Sequence, residues 1–480
     1  MTHPSQSAAV TWQFSEQDQL WFANFSGDFN PIHVDSVQAR RTLFGTQVVH
    51  GIHLVIGALN SICQNMTGLR KIVRLDTQFI APVLIGDTVQ LFVQDMSGDH
   101  EDQISWITNH GRNCAKMKVS FEQDTRQSIN LPISVEKLVC HEASEEDYLH
   151  GGGSLPLFLN GAELSEKYPD LARVVCPLQI AQIIATSRLV GMQLPGLHSL
   201  YNGLSVEFSQ SEPDAPSELT YQTLRYLPRY KRLKLSLASA GLTGTLEASV
   251  RPTPITQPKM AHITNLVQSK AWKSKRAIVI GGSRGLGEAA AKILAAAGAE
   301  VLITYLAGEN DANAVAEDIR SAGGCAEVLR YDVLKPNEPD FKKLAAFGPD
   351  LVCYFATPKI LLNTSGFSES KHDFYAQYFV TGMWNLVTGF LGANTGPFRL
   401  FNPSTNYIDN VVPGALEYAM AKADSEVLCN YMAEEFNNVS CCSRRLPPIK
   451  TDQSVSLLHK EVGDAVSELL PILLGDARSV

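Results

Sequence analysis

The run Val48-Val49-His50-Gly51-Ile52-His53-Leu54-Val55-Ile56-Gly57-Ala58-Leu59-Asn60 is apolar nearly all round. A helix without a polar face is a buried one. Strand-like runs follow at Arg70 to Ile80, Asp87 to Asp95, Ile104 to His110 and Cys114 to Phe121, with Pro82 and Gly86 turning the first into the second. Upstream, Trp12 to Phe22 and Val37 to Phe44 read as short helices.

A buried helix followed by an antiparallel run of strands that wraps it predicts the hot-dog arrangement. The pattern recurs weakly further on. Pro177 to Ala185 is again a largely apolar helix, and Leu204 to Phe208, Glu218 to Tyr226, Arg232 to Ala238 and Thr245 to Arg251 read as strands. Pro252, Pro254 and Pro258 then suit a semi-rigid linker. Beyond them strands at Arg276 to Ile280, Val301 to Tyr305, Ala326 to Tyr331 and Leu351 to Phe355 alternate with helices at Glu288 to Ala297 and Ala312 to Ala322. That alternation predicts a doubly wound parallel sheet. The expected fold is an α+β double hot-dog followed by an α/β Rossmann-type domain. The expected boundaries are 1–128 and 129–251 for the two hot-dog units, 252–270 for the linker and 271–480 for the last domain.

Composition agrees with several folding units. At 480 residues the chain is too long for one core, and about three domains are expected. An apolar fraction of 45% and a charged fraction of 19% are those of a globular protein. A net charge of −9 argues against general nucleic-acid binding, though not against a local basic pocket for phosphate. Nine cysteines without a ligand-spaced set read as reduced thiols rather than a metal site. The polar start from Thr2 to Ser7 and the lack of a long apolar run predict a cytoplasmic protein without a membrane span.

Ahead of the buried helix stands Phe25-Ser26-Gly27-Asp28-Phe29-Asn30-Pro31-Ile32-His33-Val34-Asp35. Proline lacks an N–H and biases its predecessor away from helix, so Asn30-Pro31 leaves Asp28 and His33 on a short irregular loop. A carboxylate and an imidazole can fix one water between them and pass protons both ways near neutral pH. The plainer reading, a cap and a local hydrogen bond, would suit either residue alone. The whole motif favours catalysis. With Val49-His50-Gly51, it resembles the MaoC-like (R)-specific enoyl-thioester hydratases over about residues 10 to 125.

That resemblance implies that Asp28 and His33 hold the water added across, or removed from, the 2,3-double bond. It also implies that the N–H of Gly51 polarises the thioester carbonyl, with His50 and Asp35 supporting the loop. Such a donor at a helix N-terminus is what developing enolate charge requires. Which of Asp28 and His33 takes the C2 proton stays open. The second unit lacks the dyad and is expected to complete the acyl pocket. Its cluster Arg225, Arg229, Lys231, Arg232 and Lys234 reads as a solvated strand face or, more sharply, as a contact for the phosphates of CoA or a carrier-protein arm.

The second motif is Ile278-Val279-Ile280-Gly281-Gly282-Ser283-Arg284-Gly285-Leu286-Gly287, a strand, a glycine turn and a helix start. It is joined by Tyr418-Ala419-Met420-Ala421-Lys422, with Ser404 and Thr405 fourteen and thirteen residues before the tyrosine. Residues four apart share one helix face. The set resembles the short-chain dehydrogenase/reductases, especially ketoacyl reductases, over about residues 272 to 475.

In that family the tyrosine protonates the carbonyl oxygen, the lysine lowers its pKa and holds the ribose, and a serine positions the carbonyl. Tyr418 and Lys422 map cleanly; Ser404 is slightly preferred to Thr405 for the serine. Gly281, Ser283, Arg284, Gly285, Leu286 and Gly287 are expected at the cofactor's phosphates, Asp332 at its adenine and Thr451 beside the nicotinamide amide. No acid ends the strand Val301 to Tyr305 and Arg284 could meet a 2′-phosphate, so NADP(H) is expected over NAD(H). Departures are Ile280 for a threonine, Tyr354-Phe355-Ala356-Thr357 for Asn-Asn-Ala-Gly, Phe379 at the relay asparagine, Leu446-Pro447 for Pro-Gly, and an end at Val480 before the family's usual last strand.

The joint expectation is a bifunctional enzyme on CoA or carrier-protein thioesters, reducing a 3-oxoacyl group and dehydrating the (R)-3-hydroxy product, or the reverse. The alternatives are a hydratase with an inactive reductase-like domain and a non-catalytic thioester-binding subunit of a lipid or polyketide assembly. A homodimer fits both resemblances, since both families usually pair.

Overall fold

The apolar run forms the helix Gly51–Cys63 in the computed structural model, with every residue from Ile52 to Leu59 buried. The structure describes residues 10–95, 103–109, 111–124, 131–209, 217–360, 366–452 and 462–475. The chain divides into two units, Met1–Thr253 and Pro254–Val480.

The first unit holds one antiparallel sheet of ten strands. They are β1 (Val10–Gln13), β2 (Arg70–Phe79), β3 (Thr88–Asp95), β4 (Gln103–Asn109), β5 (Arg112–Gln123), β6 (Gly152–Pro156), β7 (Ser199–Phe208), β8 (Glu218–Leu227), β9 (Arg232–Ser239) and β10 (Leu242–Val250). Their spatial order is β1-β3-β4-β5-β2-β7-β10-β9-β8-β6. From the central β2–β7 pair outward, β2, β5, β4, β3 and β1 are matched by β7, β10, β9, β8 and β6.

The region is hot-dog-like, with Gly51–Cys63 as the helix of one half and Pro177–Arg188 as that of the other. At the seam Gln78 stands opposite Gly203. A side chain there would lie 2.9 Å from the Thr77 carbonyl oxygen, so glycine lets the halves close into one sheet. The apolar core is likewise shared, running from Leu75 and Val119 to Leu204 and Leu246.

Two local readings change. The helix expected at Trp12 to Phe22 begins only at Glu16, because Ser15 and Asp18 form a reciprocal capping box there. Trp12 lies in β1, paired to β3. The helix expected at Val37 to Phe44 is the single turn Ser36–Ala39, started by Asp35, whose carboxylate accepts from the N–H groups of Val37 and Gln38.

The second unit is built on six parallel strands: β11 (Arg276–Ile280), β12 (Glu300–Tyr305), β13 (Cys325–Arg330), β14 (Leu351–Tyr354), β15 (Phe398–Thr405) and β16 (Val439–Leu446). Their order, β13-β12-β11-β14-β15-β16, is the Rossmann order. It reverses between β11 and β14 and opens a crevice at their C-terminal ends. Part of the expected linker 252–270 belongs to this unit: Met260–Leu266 is a helix whose Met260 and Ile263 are buried in the unit's core. Among the described residues no helix is long and apolar enough to cross a membrane.

Candidate active sites

In the first unit the helix Glu16–Ser26 stops at Gly27, which takes a left-handed conformation (φ 76°) that favours glycine. A side chain at Gly27 would also meet Arg188 Cδ at 2.8 Å. The chain then turns through Asp28 into the one-turn helix Pro31–Val34, where Asn30 Oδ1 accepts from the N–H of Ile32 at 3.1 Å. Asn30 Nδ2 donates to the carbonyls of Gly191 (2.9 Å) and Gly196 (3.0 Å), anchoring the turn to the second half of the sheet.

Asp28 is 2% exposed. Its Oδ2 accepts from Ser187 Oγ at 2.7 Å and its Oδ1 from the N–H of Asn30 at 3.2 Å. His33 Nδ1 donates to the Val48 carbonyl at 2.7 Å, which leaves Nε2 as the basic nitrogen. The ligand atoms of Asp28, His33 and His50 lie within 4.8 Å of one another. Both His50 nitrogens face oxygens, Gln19 Oε1 at 2.9 Å and the Asp28 carbonyl at 3.0 Å. Two groups, Asp28 and His33, are therefore left to grip a small ligand between them, a fit for water rather than for a metal ion.

Burial raises the Asp28 pKa, against the lowering influence of His33, Ser187, Asn30 and Arg188. Burial lowers that of His33, against the carboxylate. Both effects favour a protonated carboxyl beside a neutral imidazole. Gly51 opens its helix with no side-chain cap, so its first N–H groups face outward from the helix end. A side chain at Gly51 would strike the Phe79 ring at 2.9 Å.

The motif gave no hint of the groups that hold this dyad. Gln19 is fully buried and also accepts from the His50 backbone N–H at 3.0 Å. His50 in turn stacks on His33, with ring centroids 3.8 Å apart. Ser187 and Arg188 end the second buried helix. Polar residues there, on an otherwise apolar helix, are the signal that could have exposed them. Arg188 is 1% exposed, lies over the Phe158 ring, donates to the Pro156 carbonyl, and leaves Nε and Nη1 without partners.

Two expected outcomes follow directly. An alanine at Gly191 would place its Cβ 2.0 Å from Asp28 Oδ1. Gly191→Ala is expected to lower kcat for thioester hydration about 100-fold by displacing the carboxylate, with circular dichroism unchanged. Arg188 pulls the Asp28 pKa down by its charge. Arg188→Met removes that cation, so the limb of the pH–rate profile that reports Asp28 should move to higher pH, and Arg188→Lys should move it back.

In the second unit β11 runs into Gly281 (φ 79°), where a side chain would meet the Phe355 carbonyl carbon at 3.0 Å. Thr304 holds the turn, its Oγ1 accepting from the Gly281 N–H (3.0 Å) and its carbonyl from Gly282 (2.9 Å). A Cβ at Gly287 would lie 2.3 Å from the Gly281 carbonyl oxygen. The helix Gly285–Ala296 starts at Arg284 without a side-chain cap. This tight turn before uncapped N–H groups, with Ser283 buried within it, fits a dinucleotide pyrophosphate, with Leu286 on the first turn of the helix. Thr451 packs 3.6 Å from the Cβ position of Gly285, which places it beside the turn. Asp332, just past β13, accepts from the Leu334 N–H at 2.9 Å. Arg284 ion-pairs with Asp452 at 3.4 Å.

Tyr418 and Lys422 lie one turn apart on the helix Leu416–Glu435. Burial pushes the Tyr418 pKa well up, against a lowering influence of the Thr405 hydroxyl. Ser404 donates instead to Glu426 Oε1. Successive residues of a strand face opposite ways, so β15 can offer only one of the two hydroxyls to Tyr418, and it offers Thr405. Where the sequence slightly preferred Ser404, this geometry favours Thr405. Lys422 Nζ donates to the Pro403 carbonyl at 2.8 Å and sits 4.0 Å from the centroid of the Phe379 ring. Burial lowers its pKa to about 7. Phe379 thus puts an aromatic face where the resemblance expects an amide, and it packs edge-on to Tyr418 at 5.8 Å.

Comparison with known proteins divides the chain in the same way. A family model for the MaoC like domain matches residues 2–110, and one for short chain dehydrogenase matches residues 275–353. The chain is similar to the (R)-specific enoyl-CoA hydratase of Rhodospirillum rubrum, 40% identical over 86 residues, 18% of this chain. It spans 59% of that hydratase's length. It is also similar to the probable 2,4-dienoyl-CoA reductase 3 of Caenorhabditis elegans, 26% identical over 226 residues, 45% of this chain and 72% of the relative. A solved short chain dehydrogenase from Burkholderia cenocepacia, in complex with NADP, aligns with a TM-score of 0.39 at 22% identity, over 44% of this chain and 94% of that one.

Proposed function

Because the chain joins an N-terminal MaoC-like dehydratase domain to a C-terminal short-chain dehydrogenase/reductase domain, we propose that it is a bifunctional enzyme of acyl thioesters. The N-terminal site dehydrates an (R)-3-hydroxyacyl thioester or hydrates the enoyl product. The C-terminal site reduces the 3-oxoacyl thioester that precedes it, with NADP(H) preferred. The observation that carries this reading is the pair of buried Asp28 and half-buried His33, within water-bridging reach of each other and on the same side of the motif as the uncapped helix end at Gly51. The relative named for enoyl-CoA hydration supports the thioester class.

In dehydration, neutral His33 takes the C2 proton on Nε2, and the protonated Asp28 carboxyl gives a proton to the leaving 3-hydroxyl, which departs as water. The N–H of Gly51 receives the charge that gathers on the thioester oxygen. Ser187 and Asn30 hold the carboxyl, and the Val48 carbonyl and the stacked His50 ring, itself held by Gln19, fix the imidazole, so neither group needs to reorganise during the reaction.

In the second domain a dinucleotide, when bound, would supply hydride chemistry. Gly281 and Gly285 to Gly287 would hold its phosphates, with Asp332 and Thr451 as its further contacts. Tyr418 delivers a proton to the carbonyl oxygen that Thr405 orients, and Lys422 favours the phenolate. Arg284 in the turn, with no acid at the end of β12, supports NADP(H) over NAD(H).

One observation favours a second reading, a hydratase whose reductase domain is silent. Phe379 covers Lys422 and removes the amide of the expected proton relay. Incubating the full chain with 3-oxoacyl-CoA or carrier-protein thioesters and NADPH tests this. Oxidation of NADPH with formation of the 3-hydroxy and then the enoyl product supports bifunctionality. Hydration of the enoyl thioester with no NADPH oxidation at any chain length selects the second reading.

A further inference from the structure

The hairpin between β8 and β9 carries four cations, Arg225, Arg229, Lys231 and Arg232, all exposed. Among the described residues none of them pairs with a carboxylate, whereas nearby Lys234 pairs with Glu247 at 3.5 Å. In a chain of net charge −9 this is a local reversal of sign. A solvated strand face needs no such concentration at its tip.

The position of the hairpin gives the patch a use. The Lys231 carbonyl accepts from the Val250 N–H at 2.8 Å, and the next residue, Arg251, donates its N–H to the His198 carbonyl at 2.7 Å. The Arg251 guanidinium donates to the Leu197 carbonyl. That same carbonyl lies 3.5 Å from Asn30 Nδ2, in the turn between Asp28 and His33. The hairpin is thus linked to the dyad by a few consecutive hydrogen bonds. Along that route two buried polar atoms have no partner: Arg251 Nε, on a residue 4% exposed, and His198 Nδ1, on a residue 8% exposed. Arg251 Nε is a donor without an acceptor, and His198 Nδ1, whose ring turns Nε2 toward Glu142, is an acceptor without a donor; unsatisfied buried groups of both kinds are costly. His198 Nε2 faces Glu142 at 3.4 Å.

We propose that the tip of this hairpin binds the phosphate end of the pantetheine arm whose thioester reaches Asp28 and His33. This rests on the hydratase reading above. Guanidinium groups match phosphate oxygens in geometry and charge. Tyr230, 65% exposed with Arg229 beside its ring at 5.7 Å, adds a face on which a purine can stack. The ligand that uses all of these is the nucleotide of CoA; a carrier protein's arm shares only the phosphodiester.

The test uses the full chain and the triple variant Arg229→Glu, Lys231→Glu, Arg232→Glu, exposed changes that leave the core intact. Calorimetric titration with CoA needs no turnover. Affinity is expected to fall at least about tenfold in the variant, and its dependence on salt to weaken. Equal affinity in the two proteins, or no binding of CoA to the wild type, overturns the proposal. In kinetics, KM for crotonyl-CoA should rise at least about tenfold while kcat falls much less. A smaller rise with crotonyl-carrier protein assigns the nucleotide; an equal rise assigns the shared phosphodiester; no rise with either substrate overturns the subsite. A wild type that binds CoA through these residues and hydrates nothing would sink the hydratase reading instead.

Discussion

Asp28→Asn and His33→Ala are each expected to lower kcat for hydration of crotonyl-CoA by about 10²–10⁴-fold, the range that a positioned proton-transfer group contributes. The Asp28→Asn variant would keep the hydrogen bond from Ser187 Oγ and the fold of the turn, so the loss reports chemistry rather than collapse. The His33→Ala variant would leave the Val48 carbonyl without its imidazole donor, so circular dichroism and thermal melting should accompany it. The double variant is expected to lose little beyond the worse single one, because the two groups act on one water and one substrate. Hydration undiminished in both single variants would move the chain to the class of thioester-binding scaffolds.

The second large effect lies in the reductase domain and turns on adjacent hydroxyls. Tyr418→Phe should cut NADPH-dependent reduction by about 10²–10⁴-fold, since no proton donor then faces the carbonyl. Thr405→Ala should cost about 10²-fold, the scale of losing one donor to a developing oxyanion. Ser404→Ala should stay within about threefold, as expected for a side chain turned away from the site. Its hydroxyl serves Glu426, which also accepts from Arg445. Steady-state rates of NADPH oxidation on one 3-oxoacyl thioester decide the order. If Ser404→Ala is the severe variant, β15 is read in the wrong register. If none of the three matters because there is no reduction to lose, the silent-domain reading holds, and Phe379→Asn becomes the variant in which to look for restored turnover.

Much of this molecule was legible in the chain itself. An apolar helix and a run of alternating strands can bury their surface in few ways, so Gly51–Cys63 and its sheet follow from periodicity alone. The glycine turn is equally local. Gly281 needs a left-handed backbone, and Gly287 must approach the Gly281 carbonyl, whatever lies elsewhere. Asp28, His33, Tyr418 and Lys422 were visible because their chemistry demands short, fixed spacings. By contrast, the strands Phe398–Thr405 and Val439–Leu446 did not stand out. β15 holds Asn402, Pro403 and Ser404, residues whose propensities point to turns, and only the parallel neighbours β14 and β16 make it a strand.

The sequence by itself determined the two kinds of sheet, the two motifs and the residue types we propose to carry protons, because each depends on neighbours within a few positions along the chain. Tertiary structure alone decided that Ser187, Arg188 and Gly191, some 160 residues away, enclose Asp28. It alone bonded Ser404 to Glu426, brought the Thr405 hydroxyl to bear on Tyr418 and laid Phe379 on Lys422. The physical reason is that burial, pKa and side-chain facing are set by what packs across the core, and contacts between distant segments leave no local pattern to read.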